Sequence, residues 1–294
     1  MTAVTTLNAE VEGRIAAEQF RAQHQLGWQP LGDLVALIEQ SAGVDVAVLD
    51  VGPDEHGLTM RDSQRGAVFI GVARTKRPMR QRSTLAHELA HVVFGDWVDN
   101  NTTCDWSESS PRESRANAFA RHLLVPVDGL KAFLGSTIPI NLAALSAVVQ
   151  RFLVSPSIAA IALEQAGYID ANTKREWMSV TTRWLAIRFG WGDQYRMLQS
   201  DTDQRRAPQR LLARAIRGYA EGVVSAQAIA TLRGITADQA AAELREAGIF
   251  PARQLVTWAD PSELPDVEVD LNALDSVLGS AEGAFETASE PDAE

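Results

Sequence analysis

The stretch Arg80-Gln81-Arg82-Ser83-Thr84-Leu85-Ala86-His87-Glu88-Leu89-Ala90-His91 carries two histidines four residues apart, with a glutamate directly after the first. Pro78 at its entry predicts a helix from about Met79 to Gly95, and the uncharged flanks Thr84-Leu85-Ala86 and Val92-Val93 are those of a helix buried in the wall of an active site. On a helix His87 and His91 leave the same side one turn apart. Two imidazoles so placed can reach one ion at about 2.0–2.1 Å, the distance zinc takes with nitrogen. Glu88 lies one residue further round, out of line for a third ligand but well placed to take a proton. Zinc lowers the pKa of a bound water from about 15.7 to near 7, and a carboxylate then serves as general base for attack on a carbonyl. With five histidines in the chain, chance would produce this pattern on the order of one time in a hundred.

A catalytic zinc site takes a third protein ligand and keeps a fourth position open. A third histidine six residues after His91 is excluded, because Trp97 stands there. Downstream, a second helix is expected from Pro111, which suits a first turn, to about Leu124, closed by Pro126. Glu113 on that helix is the leading third ligand. Asn117, one turn on, is placed to hold a ligand imidazole through its second nitrogen. Asp96, Asp99, Asp105, Glu108 and His122 are rivals. His122 lies about 180° round the helix from Glu113, so those two do not share an ion. His24 and His56 read as surface residues. The polar loop 96–110, with Trp97 and Trp106, reads either as a lid or as a loop whose tryptophans cap a core. For polarising a scissile carbonyl the candidates are His122, an arginine within 74–82, or Tyr168.

The run 80–91, followed by Glu-Ser-Arg-Ala-Asn-Ala-Phe-Ala-Arg-His-Leu-Leu-Val-Pro at 113–126, closely resembles the ImmA/IrrE family of metallopeptidases. The resemblance covers about residues 30–170. It departs at Ser83, where an aromatic is common, and at Arg121-His122, where small and acidic residues are common. It implies a gluzincin-like arrangement in which His87, His91 and Glu113 bind Zn2+ and Glu88 is the base. It also implies cleavage of a helix-turn-helix repressor, which derepresses stress, mobile-element or phage-related genes. Two other classes stay open: a DNA- or partner-binding regulator with a structural or vestigial zinc site, and a toxin–antitoxin component acting by sequestration.

Around these motifs the expected fold is α+β. Helices are expected at 9–25 and 31–43. Short β-branched segments at 44–51, 58–61 and 67–72 predict a small antiparallel sheet, with 67–72 as the edge for β-augmentation by an extended substrate. The second half reads as nearly all helix. Residues 154–169 align without gaps with 235–250, each an apolar residue, a Ser/Thr cap, an Ala/Leu-rich helix and an Ala-Gly stop. Each follows a short helix, at 141–152 and 225–232, which is the layout of a helix-turn-helix or of an ordinary αα-hairpin. The expected divisions are a peptidase domain at 1–135, a helix-turn-helix-like region at 136–175, a helical domain at 176–259 and an acidic tail at 260–294.

The net charge of −11 sits in that tail, where eleven acids stand without a single base, leaving 27 acids against 27 bases before it. Such a tail reads as disordered and solubilising. Direct nucleic-acid binding is therefore unsupported by charge. The nearest exception is a stripe of Arg206, Arg210, Arg214 and Arg217, read as a solvated face or as a surface for the tail or a phosphate backbone. The single Cys104 excludes an intrachain disulfide, and no apolar run approaches the roughly 20 residues that span a bilayer. The cytoplasm is the expected compartment.

Overall fold

In the computed structural model residues 2–52, 57–62, 64–97, 110–136 and 140–252 are described, with side chains from Asn8 onward. Strand β1 (Asp45–Leu49), strand β2 (Leu58–Arg61) and strand β3 (Val68–Ala73) form one sheet in the order β1-β3-β2. β3 runs parallel to β1, with Asp45 opposite Phe69 and Leu49 opposite Ala73. It runs antiparallel to β2, with Leu58 opposite Gly71 and Arg61 opposite Val68. The sheet is thus mixed, not antiparallel, and the segment expected as its edge is its centre. Composition explains the order. β1 and β3 are almost continuous apolar runs that bury Val46, Ala47, Val48, Ile70, Gly71 and Val72, whereas Leu58-Thr59-Met60-Arg61 is largely exposed. Strands buried on both faces take the interior, and the polar strand goes to the rim.

Helices α1 (Thr2–Gln23) and α2 (Leu34–Ser41) precede and α3 (Pro78–Phe94) and α4 (Pro111–Leu124) follow the sheet. α3 lies on β2 and β3, and α4 packs between α3 and α1. α1 and α4 meet closely at Gly13, where a Cβ would fall 2.5 Å from the Arg115 carbonyl oxygen and 2.7 Å from the Phe119 nitrogen. The buried Arg21 then ties the pair together, donating to the carbonyls of Leu123, at 2.6 and 2.8 Å, and of Gly27, at 2.7 Å. It satisfies a carbonyl that the end of α4 leaves open.

The remaining helices are α5 (Val127–Leu134), α6 (Leu142–Phe152), α7 (Pro156–Gln165), α8 (Ala171–Met178), α9 (Thr182–Arg188), α10 (Gly192–Thr202), α11 (Gln209–Ala220), α12 (Ala226–Arg233) and α13 (Ala237–Glu246). One cluster of buried residues extends from Ala17 to Tyr195, across positions 135 and 175, and a small second cluster of Ile229, Ala230, Ala240 and Leu244 lies between α12 and α13. Residues 1–252 make one compact unit.

The internal repeat is visible bond by bond. Ser155 and Thr236 cap α7 and α13 through the backbone nitrogens three residues on, at 3.2 Å in both copies. Gly167 and Gly248 adopt φ of 80° and 73°. Tyr168 and Ile249 then donate back to the carbonyls of Leu163 and Leu244, at 2.9 and 2.8 Å, the six-to-one bond of a glycine helix stop. α6 and α7 meet at a bend of 108°, within the about 90–120° of a helix-turn-helix.

The arginine stripe is divided. Arg206 precedes α11, exchanges both backbone bonds with Val48 at 2.9 and 3.0 Å, and pairs with Asp33 at 2.6 Å. Arg210 pairs with Asp45 at 2.8 Å. Half of the stripe therefore fastens the start of α11 to the β1 edge and is not a free basic face. That bridge covers the outer side of β1, while among the described residues no strand pairs with the outer side of β2. Among those residues, too, no single helix is long and apolar enough to cross a membrane. The acidic tail, Cys104 and the loop segment 98–109 lie outside them.

Candidate metal centre

α3 begins with Pro78 at its first turn and stops at Gly95, which takes φ 66° and donates to the carbonyls of His91 and Val92. A positive φ suits glycine because it has no Cβ to clash. The stop falls one turn after His91 and folds the chain back, so that Asp96 donates its backbone N–H to the His91 carbonyl at 2.9 Å. α4 opens with Ser110 as cap, accepting from the Glu113 nitrogen at 3.2 Å, and Pro111 in its first turn. This Ser-x-x-Glu layout is that of a capping box, but the Glu113 carboxylate is turned toward α3.

There it lies 2.9 Å from His87 Nε2 and 3.5 Å from His91 Nε2, and the two Nε2 atoms are 3.1 Å apart. One ligand atom from each of His87, His91 and Glu113 falls within 4.8 Å of the others. The opposite ring nitrogens decide what this means. His87 Nδ1 faces Asn117 Oδ1 at 3.0 Å, and His91 Nδ1 faces Asp96 Oδ2 at 3.2 Å. Both partners are acceptors, so each Nδ1 carries the proton and each Nε2 presents a lone pair. Two lone pairs and a carboxylate converge on one point, an arrangement that repels itself unless a cation fills it. The donor set, two imidazoles and one carboxylate, is one that zinc accepts.

Without a metal a proton can take part of that role. Burial opposes charging His87, but hydrogen bonding to Glu113, the charges of Glu113 and Glu88, and Asn117 hold its pKa above the usual histidine value. Glu113 is correspondingly held below the carboxylate range, chiefly by its hydrogen bond to His87.

Glu88 is buried, 7% exposed, and does not belong to the three-residue cluster. Its carboxylate accepts from Thr59 Oγ1 on β2 at 2.6 Å. Asp96, weighed from the sequence as a third ligand, stands behind His91 instead and is itself held by Arg115 and, at 3.5 Å, by Arg112. Arg115 also lies over the Phe94 ring, 4.5 Å from its centroid. Replacing Asp96 by alanine should weaken zinc binding about 10–100-fold, since partners of this kind orient the ligand imidazole. Competition with a chromogenic chelator would measure it.

His122 is neither ligand nor carbonyl polariser. It is buried, and its Nε2 pairs with Glu10 of α1 at 2.8 Å. Glu10 also accepts from Arg121, and its pKa falls to about 2: burial works against ionisation, but the bonds to His122 and Arg121 outweigh it. The ionised form is therefore favoured by folding. Its stabilisation is complete above the unfolded value of 4.5 and disappears as pH falls toward about 2. Because this side chain is 36% exposed, solvent screening should leave about 1 kcal/mol. The urea midpoint of Glu10→Gln should accordingly lie below that of the wild type at pH 7 and merge with it near pH 2.

Three of the other polarising candidates, Tyr168, Arg74 and Arg82, also point elsewhere. Tyr168 donates to the Gly135 carbonyl at 2.7 Å, Arg74 pairs with Asp50 at 2.7 Å, and buried Arg82 donates to the Leu31 and Gly32 carbonyls. His24 is partly buried against Phe20, not a plain surface residue. Trp97 lies beneath Arg61 of β2, 5.3 Å from centroid to guanidinium. His56, Asp99, Asp105, Glu108 and Trp106 lie outside the described residues.

Residues 39–164 match the family model of the IrrE N-terminal-like domain, Peptidase_M78. That match takes in α3, α4 and the whole sheet. Among curated proteins none matches the chain.

Proposed function

We propose, for a chain that belongs to the ImmA/IrrE family through residues 39–164, that it is a cytoplasmic zinc endopeptidase that cleaves a helix-turn-helix repressor. The observation that carries the catalytic part is the convergence of His87 Nε2, His91 Nε2 and the Glu113 carboxylate, with both Nδ1 atoms committed to acceptors. His87, His91 and Glu113 would hold the ion, Asn117 and Asp96 orient the two imidazoles, and Glu88 acts as general base. Zinc, when bound, supplies Lewis acidity, polarising the scissile carbonyl and making water easier to deprotonate near neutral pH. The Glu88 carboxylate takes the proton from the attacking water and passes it to the leaving amine. An extended substrate pairs along the outer side of β2, where no strand pairs among the described residues and which lies against the helix bearing Glu88.

For the partner, the helix-turn-helix-like pairs support a protein over DNA. α7 contains no Lys or Arg and buries Ala159, Ala160 and Leu163. α13 has one base, Arg245, against Asp238, Glu243 and Glu246. Neither helix offers the positive face that phosphate binding requires. Co-expression with the helix-turn-helix regulator encoded nearest to this chain tests the proposal. Cleavage at one site, lost with chelator and restored by zinc, is the expected result. An intact regulator, with sequence-specific gel shifts by this chain instead, would overturn it.

A further inference from the structure

Glu88 is seated by the sheet as well as by its own helix. Thr59 Oγ1 donates to Glu88 Oε2 at 2.6 Å and lies 3.3 Å from the Glu88 carbonyl oxygen. Two residues earlier, and so on the same side of the strand, Gly57 closes over the other oxygen. A Cβ at Gly57 would come within 2.3 Å of Glu88 Oε1 and 2.4 Å of its Cγ. Only glycine leaves the carboxylate its place. Across α3 the imidazoles are oriented by Asn117 and Asp96, whereas Thr59 is the one side chain that hydrogen-bonds the Glu88 carboxylate among the described residues.

We propose that Thr59 is a positioning residue for Glu88, and that Gly57 is required to leave room for the carboxylate it positions. This rests on the reading of Glu88 as general base. The physical reason is geometric. A glutamate has three side-chain torsions, and a base acts only when its oxygen is within about 2.6–3.2 Å of the proton it takes. The Thr59 hydroxyl engages Oε2 while Gly57 lies against Oε1, and the two together fix the plane of the carboxylate. Because Thr59 belongs to the strand on whose outer side no strand pairs among the described residues, substrate pairing there would carry the scissile bond and the seat of the base on one rigid element.

Thr59→Val keeps the shape and the β-branch and removes the donor; Thr59→Ser keeps the donor. With a quenched-fluorescent peptide as substrate and the zinc-loaded full chain, Thr59→Val should lower kcat about 10–100-fold with KM unchanged. Thr59→Ser should recover most of that loss, and both variants should bind zinc as the wild type does. A Thr59→Val enzyme with full kcat, or a serine variant as impaired as the valine one, would overturn the inference. A second readout needs no activity. In metal-free protein, the shift in urea midpoint caused by Thr59→Val should shrink in a Glu88→Ala background, where only the backbone carbonyl of residue 88 remains for the hydroxyl. Additive shifts would overturn the seat. If Glu88→Gln cleaves like the wild type, it is the base reading that fails, while this cycle still reports the Thr59–Glu88 coupling.

Discussion

Glu88→Gln should leave zinc stoichiometry and thermal midpoint at their wild-type values while cleavage falls about 10²–10⁴-fold, the range that a positioned general base supplies. The separation is expected because Glu88 lies outside the cluster formed by His87, His91 and Glu113. Its carboxylate bonds to Thr59, and a glutamine amide oxygen can accept the same hydrogen bond. The substitution therefore removes a proton acceptor and little else. Metal analysis, a melting curve and the cleavage assay on one preparation check all three parts. Cleavage retained within a few fold would sink the mechanism.

Glu113→Ala should have the opposite pattern: zinc is lost first, and activity with it. Two imidazoles remain, but a metal that needs three protein ligands keeps only two. The loss in affinity should exceed the roughly 10–100-fold expected of residues that only orient ligands, such as Asp96. Fold should be retained, because the Glu113 backbone is capped by Ser110 independently of its carboxylate. Zinc content after dialysis against a mild chelator, with circular dichroism as the control, is the measurement. Unchanged zinc would move the third ligand elsewhere.

Much of the centre was legible from local spacing. The offsets from His87 to His91 and from Glu113 to Asn117 are each one helical turn, so each pair shares a face whatever the rest of the chain does. The boundaries of α4 were readable for the same reason, from Pro111 at one end and Pro126 beyond the other. Asp96 was half legible. Its position after the Gly95 stop put it near the two histidines, but a carboxylate five residues from His91 can ligate or orient, and only the observed bond to Nδ1 separates the two. His122 shows the reverse case: a histidine beside the motif helix invited a catalytic role, yet it faces α1, where Glu10 satisfies it.

Thr59 had no signal in the chain at all. It lies 29 residues before Glu88, on a strand that alternation alone would mark as a half-exposed rim. The order of the sheet was likewise beyond reach of local pattern. The three strands could be found, but which one is central depends on which apolar surface the helices cover, and that is a property of the assembled core. By itself, then, the sequence determined the HExxH helix, the Glu113 helix and the paired capped helices of the second half, because each rests on contacts within a few residues. Tertiary structure alone decided that β3 is central and β2 at the rim, that arginines 206 and 210 fasten the sheet edge, and that Thr59 holds Glu88. Each of these joins residues far apart in the chain, and their meeting is set by burial of the common core.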